Sequence, residues 1–185
     1  MNDLVAVLDA CVLVPACLRD TLLRFAESPS FYRPVWSEEI MAETARTLHQ
    51  KIGLDDRRVQ RLITRLREAF PEAWIDGFEP LTERMTNDPK DRHVVAAAVQ
   101  AGAHTIVTFN RKHFGPDTVS PFGIAVQSPD EFLAQQHRLH PTLALVKIVE
   151  QAAGIGREPE AILATLGTSA PRFVALIRQT HADAL

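Results

Sequence analysis

The sequence predicts an α/β fold: a three-layer α/β/α sandwich with a mainly parallel sheet, followed by an all-helical C-terminal extension. Three observations predict it. Short β-rich runs alternate with segments of helical periodicity. The first run, residues 4–8, is apolar throughout, as suits a strand buried on both faces of a parallel sheet. No strand signal follows Pro141.

The elements follow in order. After the strand at 4–8, a helix is predicted over 16–26, ended by Ser28-Pro29, and a short strand over 33–36. Ser37 then stands at an N-cap with Glu38 and Glu39 in the first turn, where carboxylates suit the helix dipole. Ile40, Met41, Thr44 and Leu48 give this helix one buried stripe. An amphipathic helix over 55–70 places Val59, Leu62, Ile63, Leu66 and Phe70 on one side and many arginines on the other. A strand at 73–75, an alanine-rich helix over 89–101, strands at 105–108 and 124–126, and a helix to about 136, opened by Ser128 or Asp130, complete the sandwich. Three helices at 142–153, 158–166 and 171–180 form the extension. The expected division is a main domain over 1–137 and an extension over 141–185, the latter either a helical module or a clasp on the former.

At 185 residues with 46% hydrophobic and 23% charged residues, the chain has the composition of an ordinary globular protein. No apolar run approaches the ~20 residues of a membrane helix. The N-terminus, with Asp3 ahead of its apolar run and Asp9 inside it, lacks the positive start of a secretory signal, so a cytoplasmic protein is expected. A net charge of −3 argues against a protein that coats nucleic acid non-specifically, but leaves room for an enzyme with a local basic rim. Cys11 and Cys17, six apart with no further ligand at zinc spacing, are expected to be reduced and packed as small apolar residues.

The acids carry the functional signal. Asp9 ends the strand VAVLD, and ligands of open α/β sheets sit beyond the carboxyl ends of strands. A carboxylate there is costly unless a cation or hydrogen bonds compensate it; capping the next helix is its competing role. Glu43 lies on the helix after the second strand, where a solvated surface position competes. In Asn87-Asp88-Pro89-Lys90-Asp91, Asp88 suits an N-cap and Pro89 the first helical position, with Asp91 where a side chain can reach back to the cap. Capping accounts for Asp88 better than for Asp91. Ala96-Ala97-Ala98 lets this helix approach the sheet closely, and Thr108 and Asn110 bring polar groups to the same rim. Carboxylates converging there would repel one another unless a divalent cation joined them, and Mg²⁺ or Mn²⁺ suits an all-oxygen site. Such an ion activates water and stabilises charge on a phosphate.

Three segments, VLDACVLVPACLRD, WSEEIMAETARTL and NDPKDRHVVAAAVQAGAHTIVTFNRKHF, occur here in order. Together they resemble the PIN domain, in the branch found in bacterial VapC-type toxins of toxin–antitoxin pairs, over roughly residues 4–135. The resemblance implies a PIN-like sandwich and a metal-dependent endoribonuclease. The family's first aspartate falls on Asp9, its helix glutamate on Glu43, its third acid on Asp91, with Asp88 a neighbouring acid and the fourth position on Asn110. Relatives often carry another Asp three residues later, where this chain has His113. The implied site holds Mg²⁺ or Mn²⁺ through Asp9, Glu43 and Asp91, aided by Asp88 and Asn110. Thr108, Arg92, Arg111 and Lys112 are the candidate substrate contacts, His113 is a further one, and His93 is expected to be structural. The implied partners are an RNA substrate, a cognate antitoxin and a second copy of the chain. Two rivals differ in class. A phosphotransferase with an aspartyl nucleophile resembles strand-then-Asp but would want an acid where Cys11 stands. A PIN-fold interaction module that has lost its chemistry would fit the change at His113.

Overall fold

Four-residue runs such as VAVL can satisfy their backbone groups only by pairing with neighbours on both sides. In a computed structural model that describes residues 4–182, they do so in one sheet. Asp3 and the chain ends at 1 and 185 lie outside the described residues. The strands are β1 (Val5–Leu8), β2 (Arg33–Ser37), β3 (Trp74–Ile75), β4 (Thr105–Val107) and β5 (Ala125–Gln127), in the order β3-β2-β1-β4-β5. Every neighbouring pair is parallel, so the sheet expected to be mainly parallel is wholly so among the described residues. β1 is central and buried along its whole length.

The helices are α1 (Ala10–Leu13), α2 (Ala16–Ala26), α3 (Glu38–Gln50), α4 (Asp56–Ala69), α5 (Glu79–Thr82), α6 (Arg92–Gln100), α7 (Pro116–Val119), α8 (Pro129–Leu139), α9 (Pro141–Gly154), α10 (Pro159–Leu166) and α11 (Pro171–Thr180). Their starts follow capping chemistry. Ser37 Oγ accepts from the Ile40 N–H at 3.2 Å, and an Asp55 carboxylate oxygen accepts from the Arg58 N–H at 2.9 Å. Ser128 and Glu131 form a reciprocal capping box at α8, so Ser128 rather than Asp130 opens that helix. The stretch expected as one helix over 89–101 splits into a single 3₁₀ turn, Pro89–Asp91, and α6. Val94, Val95 and the three alanines Ala96, Ala97 and Ala98 are buried, and α6 packs across β1, β2 and β4. α2 and α3 pack on β2, and α8 packs beside β5.

The topology positions the site. From β1 the chain winds outward through β2 to β3, then crosses back to β4 and β5, so strand order reverses between β1 and β4. That reversal leaves a crevice at the carboxyl ends of β1 and β4, the usual ligand position of such sheets. Asp9 follows β1 and Thr108 follows β4, and both residues continue the ladder: Asp9 N–H donates to the Val107 carbonyl at 3.1 Å, Thr108 N–H to the Gln127 carbonyl at 2.9 Å.

The C-terminal helices join the same apolar core. α9 packs on α2 and α8, α10 on α2 and α9, and α11 on α8. Phe173 of α11 is fully buried and meets Phe25 of α2 edge-on, ring centroids 5.8 Å apart. Its N–H donates to an Asp130 carboxylate oxygen at 2.9 Å. Thr21 Oγ1 donates to Gln151 Oε1 at 2.7 Å, while Gln151 Nε2 donates to the Cys17 carbonyl at 3.0 Å. Among the described residues no helix is long and apolar enough to cross a membrane.

Candidate active site

Asp9 is held at the crevice by its neighbours rather than by the helix it precedes. It makes no side-chain capping bond to α1. Instead the Thr108 hydroxyl donates to Asp9 Oδ2 at 2.6 Å and the Cys11 thiol donates to the same oxygen at 3.1 Å. Thr108 Oγ1 in turn accepts from the Asn110 N–H at 2.9 Å, and Cys11 Sγ accepts from the Phe109 N–H at 3.2 Å. Burial and the Asp9 charge push the Cys11 thiol up to about 12, so it stays protonated and donates. The carboxylate is thus oriented by the β4 rim, and it is 3% exposed. Thr108, read from the sequence as a substrate contact, is fully buried and committed to this network.

Cys11 is the residue that the sequence reading missed. Expected as a small apolar filler, it is a hydrogen-bonding partner of Asp9, and its spacing of two from that acid was the available signal. Cys17 is half-buried, and its Sγ accepts weakly from Gln151. Both thiols are free.

Glu43 faces the same crevice from α3. Partial burial raises its carboxyl above the usual range, and the negative charges of Asp9, Asp91 and Glu39 push it further up, while His93 opposes them. His93 is buried, with Nε2 3.9 Å from Glu43 Oε2 and Nδ1 3.7 Å from Glu39 Oε1. It therefore bridges α6 to α3 from within the core.

Asp91 does not reach back to cap its helix. Its carboxylate turns to His113, with Oδ2 2.7 Å from His113 Nδ1. Asp88 does cap, one oxygen accepting from the Lys90 N–H at 3.1 Å. One ligand atom from each of Asp88, Asp91 and His113 lies within 4.8 Å of the other two, and Asp9 and Glu43 stand outside that group. The sequence-predicted acids therefore fall into a tight cluster around Asp91 and two further carboxylates close enough to act on one another's charge. The donor set fits a hard divalent cation: oxygen ligands, net negative charge and mutual repulsion that a cation relieves.

The basic candidates separate. Arg111 Nη1 is paired with both carboxylate oxygens of Glu131 at 2.9 and 3.0 Å, which directs it towards α8. Arg92 Nε donates to the Asn87 carbonyl at 3.3 Å and is half-buried. Lys112 is exposed, and Asn110 is half-buried at the start of the 3₁₀ turn Arg111–His113.

The PIN domain matches residues 5–112, a span that includes Asp9, Glu43, Asp88, Asp91 and Asn110 and stops one residue before His113. The chain belongs to the PIN-domain family. It is also similar to "Putative ribonuclease VapC50" of Mycobacterium tuberculosis (strain ATCC 25618 / H37Rv), with 36% identity over 110 residues. That match covers 58% of this chain and 65% of the relative.

Proposed function

We propose that the chain is a divalent-cation-dependent endoribonuclease acting in the cytoplasm as the toxin of a toxin–antitoxin pair. The observation that carries this reading is the grouping of acids near the strand ends: one ligand atom from each of Asp88, Asp91 and His113 lies within 4.8 Å of the others, and Glu43 of α3 is raised by burial and then by the charges of Asp9 and Asp91. The reading is supported by acids carried on three distant segments near the strand-order reversal of a PIN-domain chain that is similar to a protein named as a ribonuclease. Asp9, Glu43 and Asp91 would hold Mg²⁺ or Mn²⁺, with Asp88 and Asn110 beside them. When bound, such a cation polarises a phosphodiester oxygen and activates water for in-line attack.

The chain's own residues do the rest. Thr108 and Cys11 fix the Asp9 carboxylate on its Oδ2 side and leave Oδ1 for the crevice. Burial and then the charges of Asp9 and Asp91 raise the Glu43 carboxyl against the opposing His93, a repulsion that a cation held there would relieve. Lys112 is exposed at the rim for a phosphate of the RNA strand, as Arg92 would be after a shift of its guanidinium; Arg111 would first have to leave Glu131. Asp9→Asn tests the reading: cleavage of a purified RNA in Mg²⁺ or Mn²⁺ is expected to fall by about 10²-fold or more. Unchanged cleavage would remove the proposal.

The contact between His113 and Asp91 favours a second reading, a PIN fold that binds partners without chemistry, because a histidine already occupies one acid. Mn²⁺ uptake that depends on Asp9 and Asp91 separates the two. On either reading an antitoxin and a second copy of the chain are the proposed protein partners. Residues 141–185 are proposed as a clasp on a main domain of residues 1–137, supported by the hydrogen bonds from Gln151 and Phe173 into the main-domain helices α2 and α8.

A further inference from the structure

The tightest convergence of donor atoms at the crevice includes a residue that is not an acid. His113 stands where the family resemblance leads one to expect aspartate, and its Nδ1 faces Asp91 Oδ2 at 2.7 Å. The backbone sets this meeting as well as the side chains do. Asp88 N–H donates to the His113 carbonyl at 3.3 Å, His113 N–H to the Asn110 carbonyl at 2.9 Å, and Asp91 N–H to the Asp88 carbonyl at 2.9 Å. The loop after β4 and the turn before α6 are thereby tied together, and Asp88, Asp91 and His113 stay close without relying on long flexible side chains.

We propose that His113 is a metal ligand, completing with Asp88 and Asp91 a mixed nitrogen–oxygen site that takes Mn²⁺ in preference to Mg²⁺. The proposal deepens the nuclease reading and rests on it for the neighbouring ligands Asp9 and Glu43. Imidazole is a common ligand of transition metals, whereas Mg²⁺ is strongly biased to oxygen and keeps much of its water. Ligands on adjacent corners of an octahedron with bonds of about 2.1 Å stand about 3 Å apart, so the 2.7 Å pair needs to open by only a few tenths of an ångström to admit an ion. Asp91 belongs to this group and also acts on the charge of Glu43, so it is the residue through which the histidine site and the carboxylates of Asp9 and Glu43 communicate.

The experiment is electron spin-echo envelope modulation on the full chain loaded with Mn²⁺. Wild type is expected to show directly coordinated nitrogen. His113→Asp, which keeps a ligand at the position, is expected to retain Mn²⁺ and lose the nitrogen signal, and its preference for Mn²⁺ over Mg²⁺ in competition is expected to fall by about 10-fold. Mn²⁺ bound in an Asp9-dependent way with no nitrogen coupling overturns the ligation by His113 and leaves the nuclease reading standing. Nitrogen coupling that persists in His113→Asp assigns the signal elsewhere, to His93 beside Glu43, and also overturns it. Absence of any Mn²⁺ uptake by wild type overturns both.

Discussion

The carboxyl rim of the sheet and the seam between α2 and the C-terminal helices both bury polar groups, but they treat them in opposite ways. In the seam, complementary partners meet: Thr21 and the Cys17 carbonyl are matched to Gln151, and Asp130 caps α11. At the rim, like meets like. Burial and then the charges of Asp9 and Asp91 raise the Glu43 carboxyl, His93 opposes them, and His113 pairs with Asp91. Seams of the first kind hold a fold together; like charges gathered as at the rim oppose folding, the pattern expected of a functional site.

The largest expected effect breaks the seam. Phe173→Ala removes a fully buried ring that packs on Phe25 and His137. It is expected to lose about 3–5 kcal/mol of stability, read by chemical denaturation, while Mn²⁺ uptake by the folded fraction stays unchanged. Gln151→Leu removes one acceptor of the Thr21 hydroxyl, which keeps the Cys17 carbonyl at 3.0 Å, and removes one of the donors to that carbonyl. It is expected to lose about 0.5–1.5 kcal/mol, again without touching the rim.

At the rim the sign reverses. Glu43→Gln removes a charge that Asp9, Asp91 and Glu39 all oppose, and it also gives up the attraction of His93. Metal-free protein is expected to gain stability, by under about 1 kcal/mol after solvent screening, a rise in Tm of a few degrees at most. A lower Tm in the absence of metal would mean that the His93 contact outweighs the repulsion.

The smallest effect is a slope with pH. His137 is buried in α8, and among the described residues both its ring nitrogens lack a hydrogen-bond partner. Burial, then the positive charges of His181 and Arg138, hold it below the ordinary histidine value. The unfolded chain therefore takes up a proton first on acidification. Its contribution to stability is complete above the ordinary value of about 6.5 and is lost as pH falls from there through the lowered folded value. Wild type is expected to lose more Tm between about pH 7 and pH 5 than His137→Gln; equal losses would show that the ring is not held neutral.

Much of this contrast was legible in the sequence, though unevenly. Strands β1, β2 and β4 and helices α2 and α11 fall within a residue or so of where apolar runs and prolines placed them, because those signals are local. The one-turn helices α5 and α7 carried no periodicity long enough to read. Asp9, Glu43 and Asp91 could be singled out as acids in telling places. What the sequence could not carry was contact across the chain. The contact between Cys11 and Thr108 spans 97 residues, and that between His113 and Asp91 spans 22. Arg111 looked free because Glu131 lies 20 residues further on, in a helix whose packing beside β5 brings it back. Helix-capping rules described Asp88 correctly and already fitted Asp91 less well; the folded chain adds that His113 takes the second carboxylate.

Calorimetric titration of Mn²⁺ tests most directly whether Asp9, Glu43 and Asp91 share a cation. Wild type and Gln151→Leu are expected to bind alike, and Asp9→Asn, Glu43→Gln and Asp91→Asn are each expected to bind at least about 10-fold more weakly. Full-strength uptake by Asp9→Asn would contradict a shared site at the strand ends.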